Sequence, residues 1–273
     1  MTLGGHRFVR RAVIGFAGIL LLGISLHAQQ AADTAENKTV PTPGIPATGF
    51  AGLDQYRASR IAMFTDDYGQ LTRYRAANAE WKGASAQDRV VFFGDSITDT
   101  WRLENYFPGK PYVNRGIGGQ TTPQMLVRFR QDVIDLHPKV VVVLAGTNDI
   151  AGNTGPMRAE DIEADLASMA ELAKAHGIAV VLASVLPVHN YTPKSQDFFA
   201  QRPMARILEV NRWLKDYCAK NGIVYLDYFS AVVDEKGLLK KDLAEDGLHP
   251  NDAGFKIMAP LAEAAIAKAT SVR

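Results

Sequence analysis

A serine, a histidine and an aspartate in this chain are of the types that together perform nucleophilic chemistry. Ser96 lies in the segment 94–98, directly after the apolar run 90–93, and Asp246 precedes His249 near the other end of the chain. A serine hydroxyl is a poor nucleophile at neutral pH unless an imidazole removes its proton and a carboxylate holds that imidazole in the productive tautomer. The three residue types therefore predict acyl transfer through a serine nucleophile.

Two further segments in the middle of the chain add groups that could stabilise negative charge. Gly119 lies in the glycine-rich segment 114–122, and Asn148 follows the apolar run 140–144. A glycine can present its backbone N–H where a side chain would obstruct a substrate, and an asparagine amide can donate a hydrogen bond to an oxyanion. Taken singly, Gly119 and Asn148 are equally compatible with turns, and Ser96 with a helix N-cap.

The four segments, read in chain order, resemble those of the SGNH hydrolases, which are also called GDSL-type esterases and lipases. The emblematic residues of that family match Ser96, Gly119, Asn148 and His249. The resemblance covers roughly residues 88 to 268, and four ordered segments are far more specific than any one of them. One departure is visible, since the second segment of the family often ends in Gly-Asp-Thr and Gly119 is followed here by Gln120.

The resemblance implies an ester hydrolase that needs no cofactor and no metal. Ser96, Asp246 and His249 would form the catalytic triad. The oxyanion would be held by the backbone N–H groups of Ser96 and Gly119 and by the amide of Asn148. Aryl esters, acetylated polysaccharides, lysophospholipids and thioesters are all possible substrates. Short acyl groups, such as acetyl on a glycan, are favoured because no long apolar segment could line a deep acyl tunnel.

The same residues leave two other functions open. The acyl group could pass from the serine to a sugar hydroxyl, which would make the protein an O-acyltransferase. A non-catalytic glycan-binding module on the same fold is the third hypothesis, and it is disfavoured because every catalytic position is filled. Small-molecule or glycan esters are thus the expected partners.

Three aromatic or imidazole side chains near the predicted site are candidates for binding substrate. Tyr191 belongs to the irregular segment 189–203, which could form a wall or lid of the site or an exposed loop pinned to the core by its aromatics. His189, in the same segment, is also a rival general base, but it has no acidic residue within three positions. Trp101, shortly after Ser96, is the third candidate.

The bulk properties of the chain exclude several classes of partner and site. Its 273 residues are 47% hydrophobic, enough for one buried core, and the formal net charge of +1 gives no sign of nucleic-acid binding. The single cysteine, Cys218, excludes intramolecular disulfides and multi-cysteine metal sites.

The amino-terminal residues have the composition of a secretory signal peptide. A basic segment at 6–11 precedes an apolar stretch at 12–26, which is shorter than the roughly 20 residues of a membrane span. We expect a signal peptide at 1–28, cleaved after Ala28, with export to the periplasm or the extracellular space and no stable membrane insertion. An uncleaved anchor is the alternative.

Composition also divides the remainder of the chain. Residues 29–50 are small, polar and proline-rich, which predicts a flexible linker. The hydrolase domain is expected at 51–273. Its first part, 53–82, has helical periodicity with a break near Gly69, and it is expected to pack on the outside of the main domain.

From Arg89 onward, apolar runs alternate with amphipathic segments. Strands are predicted at 90–93, 112–114, 140–145, 179–184 and 224–226, and helices at 122–136, 160–176, 205–220 and 251–268. Thr122 is expected to cap the first of these helices and Asn251 the last. Continuous apolar strands are typical of a parallel sheet covered on both faces, so the chain is predicted to be an α/β protein, a three-layer α/β/α sandwich. The family resemblance implies its flavodoxin-like form with a five-stranded parallel sheet.

Overall fold

A parallel sheet organises the computed structural model, which describes residues 46–81 and 88–271 of the chain. Its strands are β1 Val90–Gly94, β2 Tyr112–Gly116, β3 Val140–Leu144, β4 Ala179–Ala183 and β5 Val224–Leu226. They pair in the order β2-β1-β3-β4-β5, and every pairing is parallel. The predicted five-stranded α/β fold is therefore confirmed. The predicted signal peptide and most of the linker lie outside the described residues.

Helices connect the strands and cover both faces of the sheet. In chain order they are α1 Ala51–Asp66, α2 Arg75–Trp81, α3 Ser96–Asp99, α4 Leu103–Tyr106, α5 Thr122–Asp132, α6 Thr147–Ala151, α7 Ala159–Ala175, α8 Gln196–Ala200, α9 Met204–Asn221, α10 Tyr228–Val232 and α11 Asp252–Ser271. Short 3₁₀ turns occur at Ile134–Leu136, Pro193–Ser195 and Lys241–Leu243. None of the helices in the described part of the chain is long and apolar enough to cross a membrane.

Two hydrophobic cores lie on opposite faces of the sheet. Phe92 and Phe93 are neighbours on β1, and their side chains enter different cores because successive strand residues point to opposite faces. The core around Phe92 is completed by α11, whereas the core around Phe93 is completed by α5, α7 and α9. β1 and β3 are buried along their whole length, which explains why their sequences are almost entirely apolar.

The predicted N-cap of α11 is confirmed, whereas the predicted N-cap of α5 is wrong by one residue. Asn251 caps α11, since its Oδ1 accepts a hydrogen bond from the backbone N–H of Gly254 at 3.1 Å. The N-cap of α5 is Thr121 instead of Thr122: Thr121 is extended and its N–H donates to Gln124 Oε1 at 3.1 Å. Thr122 already lies inside the helix, and its hydroxyl donates to Asp149.

Segments outside the alternating pattern are more regular than their sequence suggests. The predicted break near Gly69 separates α1 from α2, where the Asp67 carboxylate accepts the N–H groups of Leu71 and Thr72. The segment 189–203, expected to be irregular, contains a 3₁₀ turn and the short helix α8.

The strand order determines where a site can form. The chain moves from β1 to β2 on one side and then from β3 to β4 on the other, so the connections that follow β1 and β3 diverge. In such sheets a crevice opens at the carboxyl ends of the two central strands.

Candidate active site

Ser96 is the first residue of α3 and directly follows the end of β1. Asp95 caps this helix, because its Oδ1 accepts the backbone N–H of Ile97 at 2.9 Å. The helix can lie against β2 only because residue 116 is glycine, since a Cβ there would sit 2.1 Å from the backbone nitrogen of Asp99. This close approach fixes Ser96 at the carboxyl edge of the sheet.

His249 and Asp246 reach Ser96 from the loop that directly precedes α11. The Oγ of Ser96 lies 2.8 Å from Nε2 of His249, and Nδ1 of His249 lies 2.7 Å from Oδ2 of Asp246. The other carboxylate oxygen accepts the backbone N–H groups of Leu248 and His249 at 3.0 and 2.9 Å. The structure thus brings the three residues together in the order that proton transfer from serine to imidazole requires.

The environment keeps Asp246 ionised. Burial alone raises the pKa of this carboxyl, but the hydrogen bonds from the His249 ring and from two backbone N–H groups outweigh it, so the pKa lies well below its ordinary value. A carboxylate that stays negative at neutral pH can stabilise an imidazolium beside it.

Gly119 adopts a conformation that few other residues could take. Its φ is +78°, and a Cβ at this position would lie 2.2 Å from the hydroxyl oxygen of Tyr56. The Gly119 carbonyl accepts the Asn153 amide at 2.9 Å and the Tyr56 hydroxyl at 3.4 Å. These two contacts fix the peptide group that joins Gly119 to Gln120.

Asn148 is buried at the start of α6 with both ends of its amide engaged. Its Nδ2 donates to the Gln120 carbonyl at 3.0 Å, and its Oδ1 accepts from Nη2 of Arg202 at 3.3 Å. The side chain of Gln120 is itself held between the Nε of Arg128, at 2.6 Å, and the carbonyl of Gly69, at 3.1 Å. The residue that departs from the family pattern is therefore an anchor for the loop that touches Asn148.

Arg202 is a functional candidate that the sequence analysis missed. Its side chain is buried, with Nε donating to Thr147 Oγ1 at 2.9 Å and Nη1 to the Phe198 carbonyl at 3.3 Å. The Phe198 ring meets the His249 ring edge-on, with 6.0 Å between centroids. Arg202 belongs to no motif and stands between two helices, so nothing in its sequence position indicated this contact. The sequence analysis also missed Asn153 and Tyr56, which likewise belong to no motif.

Two buried carboxyl groups lie behind the site. Burial raises the pKa of Asp95 to about 6, although the hydrogen bond from Ile97 acts in the opposite direction. Burial likewise raises the pKa of Asp149 to about 7, against hydrogen bonds from the hydroxyl and backbone N–H of Thr122 at 2.6 and 2.7 Å. Asp149 thereby ties α6 to α5.

Two of the three candidates for substrate binding, Trp101 and His189, are buried. Trp101 is 2% exposed and stacks on Phe255 inside a core, so its assignment to the substrate is wrong. His189 is fully buried, with Nε2 lying 2.8 Å from the Ala244 carbonyl, and is wrong as a substrate contact or rival base. The Tyr191 hydroxyl donates to Asp234 at 2.5 Å, and a role for Tyr191 in substrate binding stays a prediction. Of the aromatics in that segment, it is Phe198 that touches His249.

A groove of about 350 Å³ borders His249. Its lining is mixed, with both polar and aromatic side chains: Thr100, Arg102, Asn105, Tyr106, His249, Pro250, Asn251, Asp252 and Phe255. The Tyr106 ring is held in place by its hydroxyl, which donates to Asp252 at 2.9 Å. Among the described residues, no group of three histidine, cysteine, aspartate or glutamate side chains could hold a metal ion.

The sequence matches the GDSL-like Lipase/Acylhydrolase family over residues 92–257. A solved structure of a GDSL-like lipase from Bacteroides thetaiotaomicron is similar to the chain, with 38% identity and a TM-score of 0.67, covering 74% of this chain and 100% of that one. An acetylxylan esterase from Geobacillus stearothermophilus is 27% identical over 63% of this chain and 90% of its own length. An uncharacterised lipoprotein from Bacillus subtilis is 30% identical over 54% of this chain and 69% of its own.

Proposed function

The chain belongs to the GDSL-like Lipase/Acylhydrolase family and is a carboxylic ester hydrolase, and we propose that it removes short acyl groups from carbohydrates through an acyl-serine intermediate. The observation that carries this mechanism is the unbroken contact from Ser96 Oγ to His249 Nε2, at 2.8 Å, and from His249 Nδ1 to Asp246, at 2.7 Å. A serine with this pairing is an activated nucleophile.

In the first half of the reaction, Ser96 Oγ attacks the ester carbonyl carbon. His249 Nε2 accepts the serine proton as the new C–O bond forms, and Asp246 stabilises the resulting imidazolium. The carbonyl oxygen becomes an oxyanion, which the N–H groups of Ser96 and Gly119 and the Asn148 amide bind. These donors are held in place before the reaction, which is what makes such a site effective.

In the second half, His249 returns the proton to the departing alcohol oxygen, and the carbonyl re-forms as the acyl-serine. A water molecule then attacks the acyl-serine while His249 again accepts a proton. Collapse of the second tetrahedral intermediate breaks the bond to Ser96 Oγ, which takes the proton back from His249, and the free acid is released. No step requires a metal or cofactor.

The alcohol part of the substrate must lie next to His249, since Nε2 delivers its proton there. The groove beside His249 supports a carbohydrate in this position. Arg102 and Asn105 are exposed polar side chains that can bind hydroxyl groups, and the Tyr106 ring offers a fixed face to a sugar. The similarity to an acetylxylan esterase favours the same class of substrate.

We also propose that the protein is exported, with its hydrolase domain starting near residue 51. The amino-terminal composition supports export, and a similar protein from Bacillus subtilis is a lipoprotein. An exported esterase meets polymeric carbohydrates, which agrees with a glycan as substrate.

The decisive experiment compares acetate release from acetylated xylo-oligosaccharides by the wild-type protein and by Ser96→Ala. We expect release by the wild type, a fluorophosphonate label on Ser96, and neither with the variant. Acylated sugar in place of free acid would instead identify a transferase. A protein that neither hydrolyses activated esters nor takes the label would refute the proposal.

A further inference from the structure

Arg202 carries a buried positive charge that no acidic side chain neutralises by contact. It is 2% exposed, and among the described residues no aspartate or glutamate forms a salt bridge with it. Its hydrogen-bond acceptors are neutral oxygens, from Thr147, Asn148 and Phe198. A buried cation without a salt-bridge partner is costly, so a purely structural role would be served better by a neutral side chain.

The contacts of Arg202 determine which way the Asn148 amide points. Guanidinium groups only donate hydrogen bonds, and the Gln120 carbonyl only accepts them. If the Asn148 amide were reversed, its NH₂ group would face the donors of Arg202 and its oxygen would face the Gln120 carbonyl oxygen. Neither pair can form a hydrogen bond. In the observed orientation both contacts are favourable, and one of the two Nδ2 hydrogens is left over. No acceptor among the described residues takes that second hydrogen.

We propose that Arg202 is a positioning residue for the oxyanion site, which holds Asn148 Oδ1 so that the free N–H of the amide faces the substrate oxygen. The cation also polarises the amide and so makes this N–H a stronger donor. This proposal rests on the proposed part of Asn148 in the hydrolase mechanism. Burial lowers the pKa of Arg202 to about 10, which leaves the group charged at neutral pH.

The second contact of Arg202 extends its influence across the site. Its guanidinium carbon lies 5.4 Å from the Phe198 ring centroid, and the same ring meets His249 edge-on. The Phe198 ring is thus a neighbour of both the cation and the imidazole. The negative charges of Asp95 and Asp246 also act on the guanidinium without touching it, and both oppose the effect of burial on the pKa of Arg202.

A double-mutant cycle between Arg202 and Asn148 tests this inference. The kcat and KM for p-nitrophenyl acetate are measured for Arg202→Gln, Asn148→Ala and the double variant. We expect Arg202→Gln to lower kcat about 10- to 100-fold with KM nearly unchanged, since a small misplacement of a donor has effects of this size. In the Asn148→Ala background the same substitution should change kcat less than about threefold, because it acts through the amide.

Arg206→Gln is the matched control, since Arg206 lies in the first turn of α9 and donates to the Met157 carbonyl at 3.0 Å, away from Asn148. It should leave kcat within about twofold of wild type. If Arg202→Gln does not fold, Arg202→Lys, which retains the charge, takes its place. Its loss of kcat should be smaller, and this loss should likewise vanish in the Asn148→Ala background. Equal losses in both backgrounds, or a change in KM alone, would overturn the proposal. Ser96→Ala tests the hydrolase mechanism separately in the same assay.

Discussion

The two sides of the site are built in different ways. On the oxyanion side, Asn148 and Gln120 are 3% and 1% exposed, and their hydrogen-bond partners come from distant parts of the chain. On the base side, the side chains of Asp246 and His249 are both 30% exposed, and the bonds that hold Asp246 all come from residues 248 and 249. One side depends on the packing of the whole domain, whereas the other depends on a single turn of chain.

This difference separates two kinds of sensitivity. A buried network transmits changes made far from the substrate, because neighbouring side chains cannot relax independently. Where the hydrogen bonds of a side chain are local, as those of Asp246 are, a change in that side chain acts mainly on its neighbours in the same turn. We therefore expect the base side to be sensitive mainly to substitutions of its own functional groups. The oxyanion side should also be sensitive to substitutions that alter the packing around it.

Ser96→Ala removes the atom at which both sides meet and should have the largest effect. We expect turnover of p-nitrophenyl acetate to fall about 10⁴- to 10⁶-fold, with the thermal unfolding temperature little changed. Measurement of both quantities on the purified variant checks this. Activity within about tenfold of wild type would refute the mechanism.

Asp246→Asn tests the base side alone. The amide cannot hold His249 in the tautomer that accepts the serine proton, so kcat should fall by about 10⁴-fold. Because the amide oxygen introduced by this substitution can still accept the two backbone N–H groups, the turn should keep its shape. A high-resolution structure of the variant with an unmoved His249, together with steady-state kinetics, checks both statements. A loss smaller than about tenfold would mean that His249 needs no orienting carboxylate.

Asn148→Ala tests the oxyanion side. The amide acts on charge that exists only in the transition state, so kcat should fall about 10²- to 10³-fold while KM stays nearly constant. Substrate saturation curves for both proteins provide the measurement. If KM alone rose, Asn148 would be a binding or turn residue, and the two sides would not differ as described.

Asp149→Asn tests how the buried side responds to pH. The pKa of Asp149 is raised to about 7 in the folded protein, against about 3.9 for an unfolded aspartate. The folded protein therefore binds more protons between these values, and its stability falls as pH rises from about 4 to 7. The variant keeps the acceptor for Thr122 but lacks the charge. The decrease in the free energy of unfolding between pH 4 and pH 7 should therefore be smaller in the variant by at least about 1 kcal/mol.

Urea unfolding at pH 5 and pH 8 measures the effect of that substitution. Asp135→Asn, at an exposed position, is the control and should leave the pH dependence unchanged. The free energy of unfolding of the wild type should fall more between pH 5 and pH 8 than that of Asp149→Asn. An equal change in the two proteins would contradict a raised pKa for the buried Asp149 carboxyl.

Acyl-chain length should have the smallest effect. Each added methylene could contribute up to about 0.8 kcal/mol if an apolar wall received it. We expect kcat/KM for p-nitrophenyl esters, from acetate to decanoate, to stay flat or fall beyond about four carbons. A steady rise with chain length would indicate a lipid-binding surface near Phe198 and would change the proposed substrate.

The contrast between the two sides also explains what sequence could predict. Asp246 and His249 are visible because their partnership is local, and the strands are visible because both of their faces are buried. Arg202 is 54 residues from Asn148, and Tyr56 is 63 residues from Gly119, so neither spacing reflects a contact. Trp101 and His189 were misassigned because an aromatic or imidazole side chain near a site has the same sequence signature whether it faces substrate or core.

The helices before the sheet have a consequence for the boundary of the smallest active fragment. The family match begins at residue 92, yet Tyr56 and Tyr74, far upstream, donate hydrogen bonds to the carbonyls of Gly119 and Gly116. A fragment that begins at β1 and keeps α11 would retain every residue of the four segments and lose the two phenols that brace the loop carrying Gly119. The region that matches the family is therefore shorter than the part of the chain whose contacts hold the site, which also includes Tyr56 of α1 and Tyr74 in the turn before α2.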